Sequence, residues 1–297
     1  MTWLVATLLA VQIAQAAPAA PIYVPQRVYD TTHQRFSDLE SMVADLARAD
    51  VIFVGEQHDD PNTHRLEAAI LEGLRRRGIK PIVSLEMFER DVQATLDRYL
   101  SGAAAEEEFL TSSRPWPRYA TDYRPIVELA KAQGWTVVAA NVPRRYASSA
   151  AKAGKSAVDD LPPQERESIA RDLQCPLDGY FDRFKASMAE HPVPGSEKLT
   201  PDEQRAATER YYFSQCVKDE TMAEAIAAAL NRAKGPIVHF NGAFHSDFGQ
   251  GTVSRARRRL EGRRIAVVTV LPVKDLDTVV PSAEDLRRAD YLLFTVK

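Results

Sequence analysis

Residues 50–67 read DVIFVGEQHDDPNTHRLE, and this stretch sets the fold class. Val51 to Val54 is a continuous apolar run, the pattern of a strand buried on both faces of a parallel sheet. Gly55 lets the backbone turn, so Glu56 and His58 stand just past the strand's carboxyl end. Asp60-Pro61 reads as an N-cap followed by a proline already at helical φ. Leu66, Ile70 and Leu74 recur at a spacing of four, which gives the next helix a core face, and Gly78 ends it. His64 falls in that helix's first turn. One strand-loop-helix unit thus puts a carboxylate and two imidazoles where open α/β sheets bind ligands.

The same grammar repeats outward from this unit. Pro81 to Met87, Trp135 to Asn141, Pro236 to Asn241 and Arg264 to Leu271 are further buried-strand patterns, and Tyr291 to Val296 adds a sixth. Ile22 to Asp30, with two prolines, reads as an edge strand or an ordered arm. Helical spacing appears between the strands, first at Leu39, Met42, Val43 and Leu46. From about Ala147 to Ala233 strand signals vanish and prolines punctuate helical pieces. The last of these opens on the capping box Thr200-Pro-Asp-Glu203 and reads as one long helix or two. The expectation is an α/β fold: a mostly parallel sheet flanked by helices, with a helical insertion subdomain. Residues 17–146 and 234–297 form the core and 147–233 the insertion.

Composition narrows the function classes. With 297 residues, 45% of them hydrophobic, the chain can bury a full core. A net charge of −3 gives no general attraction to nucleic acid, and the basic runs at Arg75–Arg77 and Arg255–Arg259 read as solvated helix ends. No apolar run long enough to span a membrane follows the first sixteen residues. Those sixteen, MTWLVATLLAVQIAQA, end in a small-x-small pattern and read as a secretory signal peptide, although the n-region lacks Lys and Arg; an apolar N-terminal anchor is the alternative. No cysteine lies near the cleavage position, so a lipid anchor is not supported. The expected location is periplasmic or otherwise exported. Cys175 and Cys216 lack CxxC spacing and stand either as one disulfide in an exported chain or as two separate buried thiols.

Glu56 and His58, Glu86, Asn141 and His245 all sit at carboxyl ends of the expected strands, and such ends share one edge of a parallel sheet. GEQH at 55–58 and GAFH at 242–245 are both Gly-x-x-His directly after a buried strand. His58, His245 and Glu86 make a mixed nitrogen and oxygen set suited to Zn, Mn, Fe or Co. A metal-bound water there is a nucleophile, with Glu56 or Glu86 as base. Strand-end polar residues also cap helices without any ligand, and His239, inside its strand, reads as a hydrogen-bonded core histidine. No GxSxG, HExxH or Walker loop is present.

In order along the chain, VGEQHDDPNTHR, SLEMFERDVQ, AANVPRR, QCVKDETMA and HFNGAFHSDFG resemble the ChaN family of bacterial haem-binding proteins, grouped with the TIKI and erythromycin-esterase-like proteins. The likeness spans roughly Asp50 to Gly251. It implies an α/β core with a helical subdomain and a role in haem or iron acquisition outside the cytoplasm. It also implies haem held through a tyrosine at a homodimer interface with a histidine nearby. Tyr180, Tyr211 and Tyr212 are the candidate ligands and His64 the candidate histidine, while any one tyrosine taken singly reads first as a packing residue with its hydroxyl at the surface. The TIKI side implies a divalent-metal hydrolase at His58, His245 and Glu86. A haem-binding protein and a metal-dependent enzyme thus stand side by side.

Overall fold

The computed structural model describes residues 23–190, 199–232 and 234–297. The leader at 1–16 and His191 lie outside them. The elements in order are β1 (Gln26–Asp30), β2 (Arg35–Ser37), α1 (Leu39–Leu46), β3 (Val51–Glu56), α2 (Pro61–Arg76), β4 (Ile82–Glu89), α3 (Gln93–Leu100), α4 (Glu106–Ser113), α5 (Tyr119–Asp122), α6 (Arg124–Gln133) and β5 (Val137–Asn141). Then come α7 (Arg144–Ala153), α8 (Ser156–Asp159), α9 (Pro163–Arg166), α10 (Gly179–Glu190) and α11 (Pro201–Arg232). β6 (Ile237–Gly242), α12 (Gly251–Arg259), β7 (Ile265–Val273) and β8 (Tyr291–Val296) close the chain.

Among the described residues the strands form one sheet in the order β2-β1-β8-β7-β3-β6-β4-β5. β8, β7, β3, β6, β4 and β5 run parallel, and β1 and β2 add an antiparallel edge. The fold is therefore α/β with a mostly parallel sheet, as the buried apolar runs predict. β3 is covered on both faces, and its alternation shows how. Ile52 and Val54 join Met42, Leu66, Ile70 and Leu74 from α1 and α2. Val51 and Phe53 join Ala223, Ile226, Val253 and Ala256 from α11 and α12. Each such side chain contributes roughly 1.5–3 kcal/mol by leaving water.

One local expectation changes, and one strand is new. β3 runs on through Gly55 to Glu56 and pairs with β6, Gly55 against Asn241 and Glu56 against Gly242. Gly55 is therefore a strand residue and not a turn. The short strand Arg35–Ser37 gives no periodic signal, because three residues are too few to show one. The helix after residue 200 is a single element of 32 residues, and its capping box forms, with Glu203 Oε2 accepting from the Thr200 amide at 2.8 Å. Cys175 and Cys216 are bridged, which ties the segment before α10 to α11.

Candidate functional site

The site grows from the ends of β3 and β6 and from Glu86 inside β4, which runs past the expected stop at Met87 to Glu89. β3 and β6 are neighbours, β4 flanks β6, and α2 and α11 press on this edge from opposite faces. Beyond the strand ends opens a cleft of about 640 Å³, lined by Glu56, His58, Glu86 and His245 on its floor and by Trp116, Phe184, Met188 and Phe244 among its walls.

Glu56 closes β3 with its carboxylate buried. Its Oε1 accepts from His58 Nδ1 at 2.5 Å and from the Tyr123 hydroxyl at 2.7 Å. His58 leans edge-on against Trp116, with ring centroids 5.0 Å apart, and its side chain stays 45% exposed, so it is a floor residue open to the cleft. Burial disfavours its charge, yet the Glu56 hydrogen bond and the charges of Glu86 and Glu56 outweigh that and raise its pKa. The two Gly-x-x-His loops interlock. A Cβ on Gly242 would lie 2.6 Å from His58 Nε2, and one on Gly55 would lie 2.8 Å from Ser246 Oγ.

Glu86 points from β4 to the end of β6, where its Oε2 accepts from the Gly242 amide at 2.8 Å. Its Oε1 lies 3.3 Å from His245 Nε2, and the other nitrogen of that ring lies 2.7 Å from Asp219 Oδ1. Burial opposes charge on all three, but the mutual attraction wins. His245 is pushed up to about 9, and the Glu86 and Asp219 carboxyls are held below their ordinary range. Asp219 also accepts from Thr252 Oγ1 and from the Tyr180 hydroxyl, each at 2.8 Å. The result is a protonated imidazole fixed between two carboxylates at the cleft floor, with Gln215 and Lys218 beside it. Asn141 lines the cleft too, and its Oδ1 accepts from the Val142 amide.

His64 is buried one layer deeper. Its Nδ1 is 3.0 Å from Glu67 Oε2 and 3.9 Å from Glu56 Oε2, and its Nε2 is 3.4 Å from Asp122 Oδ2. One ligand atom from each of Glu56, His64 and Glu67 lies within 4.8 Å of the others. The tyrosines lie apart from the cleft lining. Tyr180 is 3% exposed with its hydroxyl on Asp219; Tyr212 is 1% exposed and donates to the Pro176 carbonyl at 2.8 Å. Burial raises both phenols, Tyr212 to about 12, which works against a phenolate at neutral pH. Tyr211 is half-buried.

Asp219, Gln215 and Lys218 were not among the sequence candidates. They lie in the QCVKDETMA stretch at spacings of three and four, which put them on one helix face. That spacing was the available signal.

Residues 42–256 match the model of the family described as haem-binding uptake, Tiki superfamily, ChaN. No curated protein sequence matches. Among solved structures, ChaN of Campylobacter jejuni with cofacial haem aligns with a TM-score of 0.65 at 19% identity, covering 92% of this chain and 97% of that one. A succinoglycan biosynthesis protein aligns at 0.53 and 9% identity, over 88% of this chain and 91% of its own. An erythromycin esterase in its open conformation aligns at 0.45 and 12% identity, over 92% and 83%. At these identities the first two concern the fold alone.

Proposed function

The chain belongs to the ChaN family of haem-binding uptake proteins within the Tiki superfamily, and from that premise we propose that it takes haem as cargo at the carboxyl edge of its sheet. The family match over residues 42–256 carries this reading. The cleft's chemistry supports it: its volume suits a porphyrin, Trp116, Phe184, Met188 and Phe244 offer flat or deformable apolar contacts, and Arg144 and Lys218 are cations for the two propionates. His58 is the half-exposed imidazole for the iron, since its Nδ1 is taken up by Glu56. Tyr180 and Tyr212 have engaged hydroxyls, which leaves Tyr211 as the tyrosine for a haem held between two copies of the chain. We place this binding outside the cytoplasm, after loss of residues 1–16 and in the service of haem or iron uptake; the Cys175–Cys216 bridge suits an oxidising compartment.

Hemin titration tests it. A saturable Soret shift is expected, weakened at least tenfold by His58→Ala or by Tyr211→Phe according to which group meets the iron. A spectrum that only tracks free hemin removes the proposal. Fractionation of cells, with the mature N-terminus read by mass spectrometry, tests export.

One observation favours a second reading. His58, Glu86 and His245 all line the cleft, a mixed nitrogen and oxygen set that would hold a divalent ion on loss of the His245 proton. Ester or peptide hydrolysis that needs an added divalent ion and is lost in Glu86→Gln would support it.

A further inference from the structure

We propose that Glu56, His64 and Glu67 form a divalent-cation site beneath the cleft floor, separate from the strand-end group of His58, Glu86 and His245. The three side chains come from rigid elements: Glu56 ends β3, while His64 and Glu67 are three residues apart on one face of α2. Their relative exposures are 2%, 3% and 0%. Ligand atoms about 3–4 Å apart are what an ion at about 2.0–2.2 Å from each ligand requires, and here His64 Nδ1 is 3.0 Å from Glu67 Oε2 and 3.9 Å from Glu56 Oε2.

Two independent features point to a ligand. The first is a pair of buried carboxylate oxygens, Glu56 Oε2 and Glu67 Oε1, that have no hydrogen-bond donor. A buried, unmatched acceptor is costly, and a cation is the partner that satisfies two at once. The second is the way the neighbours orient the donors. His64 has acceptors on both sides: Nε2 faces Asp122 Oδ2 at 3.4 Å and the His58 carbonyl at 3.2 Å, while Nδ1 faces Glu67 Oε2 at 3.0 Å, so a neutral ring with its proton on Nε2 meets the carboxylates through a cation. A carboxylate behind the far nitrogen is the arrangement that fixes a metal-binding imidazole. Asp122 is itself held by Arg118 Nε at 2.5 Å. Glu56 is held by His58 and Tyr123 through Oε1, which leaves Oε2 aimed inward.

Two carboxylates and one imidazole suit Mn²⁺, Fe²⁺ or Zn²⁺. The competing occupant is a proton shared between Glu56 and Glu67. The site does not depend on the haem reading: a chain that binds no hemin still takes up the ion.

The test uses the full chain, stripped with chelator, dialysed against Mn²⁺ or Zn²⁺ and analysed for metal beside a hemin titration of the same sample. About one ion per chain is expected, kept in His245→Ala and bound at least tenfold more weakly in Glu67→Gln, a near-isosteric change whose fold is checked by circular dichroism. In the wild-type chain, pulsed EPR of bound Mn²⁺ should show coupling to a single imidazole nitrogen, a readout that needs no variant. The proposal is overturned by folded wild-type protein that holds no ion. It is equally overturned by an ion lost in His245→Ala but kept in Glu67→Gln, or by coupling to two imidazoles.

Discussion

Gly55 and Gly242 open the two Gly-x-x-His motifs, and each is small because the other motif's loop fills the space where its side chain would be. The two positions are not equally rigid. A Cβ on Gly242 meets the ring of His58, the movable end of a half-exposed side chain, so Gly242→Ala should cost less than about 1 kcal/mol in urea unfolding. It should nevertheless swing His58 away from Glu56 and Trp116, seen as loss of the indole's ring-current shift on the His58 ring protons. Unshifted His58 resonances would show that the loops do not interlock. Gly251 is the contrast: its φ is +52°, and a Cβ would lie 2.5 Å from the His245 carbonyl oxygen, which is backbone. Gly251→Ala should therefore cost about 1–3 kcal/mol in the same unfolding assay, and a change within error would refute the strain. At this scale Glu56, His58, Glu86 and His245 were legible because each closely follows an apolar strand run. The partner of His245 was not, since Asp219 sits inside a helix whose polar residues look solvated until its packing is known.

α11 shows why an element can be recognised while its continuity stays open. Cys216 bridges back to Cys175, Val217 packs on Tyr146 and Ala150 of α7, Gln215 and Lys218 face the cleft, Asp219 is buried behind His245, and Ala223 and Ile226 cover the sheet. Apolar contacts thus leave the helix in several directions along its course, so no single stripe tells one helix from two. The capping box at its start, being local chemistry, was readable at once. The bridge adds what packing alone does not. It closes 41 residues, and chain-entropy arguments value such a loop at roughly 3–4 kcal/mol through the unfolded state. Cys216→Ser, or wild-type protein in reductant, should lower the urea midpoint by the corresponding amount; equal midpoints with and without reductant would mean that the bridge contributes nothing to stability.

Across the whole molecule, the placing of β3 between β6 and β7 could not come from a pattern, because order is set by the direction of each crossover and not by any strand's composition. What patterns did convey is that the strands are buried on both faces, and that burial has a price in acid. His239 lies on β6 with no exposure, its Nδ1 2.9 Å from Ser84 Oγ and its Nε2 without a partner. Burial, with the charge of His245, outweighs the opposing charges of Glu86 and Asp219 and pushes its pKa down to about 3 from 6.5. Below pH 6.5 the unfolded chain therefore binds a proton that the folded chain refuses. Stability is intact above 6.5 and falls as pH drops towards 3, by up to roughly 1.4 kcal/mol per unit. The Glu86 and Asp219 carboxyls, held below ordinary values of 4.5 and 3.8, lose their contributions mainly below that range. Between about pH 4.5 and 6.5 the Glu67, Asp247 and Asp290 carboxyls, pushed up by burial, and His58, pushed up by its carboxylates despite burial, also contribute, so the imidazole is isolated by the difference between wild type and a His239 variant. His245, already charged when folded in that window, contributes alike to any pair of chains compared there. Urea unfolding of wild type and His239→Gln at half-unit steps should show the wild-type curve falling more steeply with acid, whatever the offset between them at pH 7. Parallel curves would mean that His239 takes up its proton in the folded state and that the core around Ser84 and Phe53 accommodates the charge.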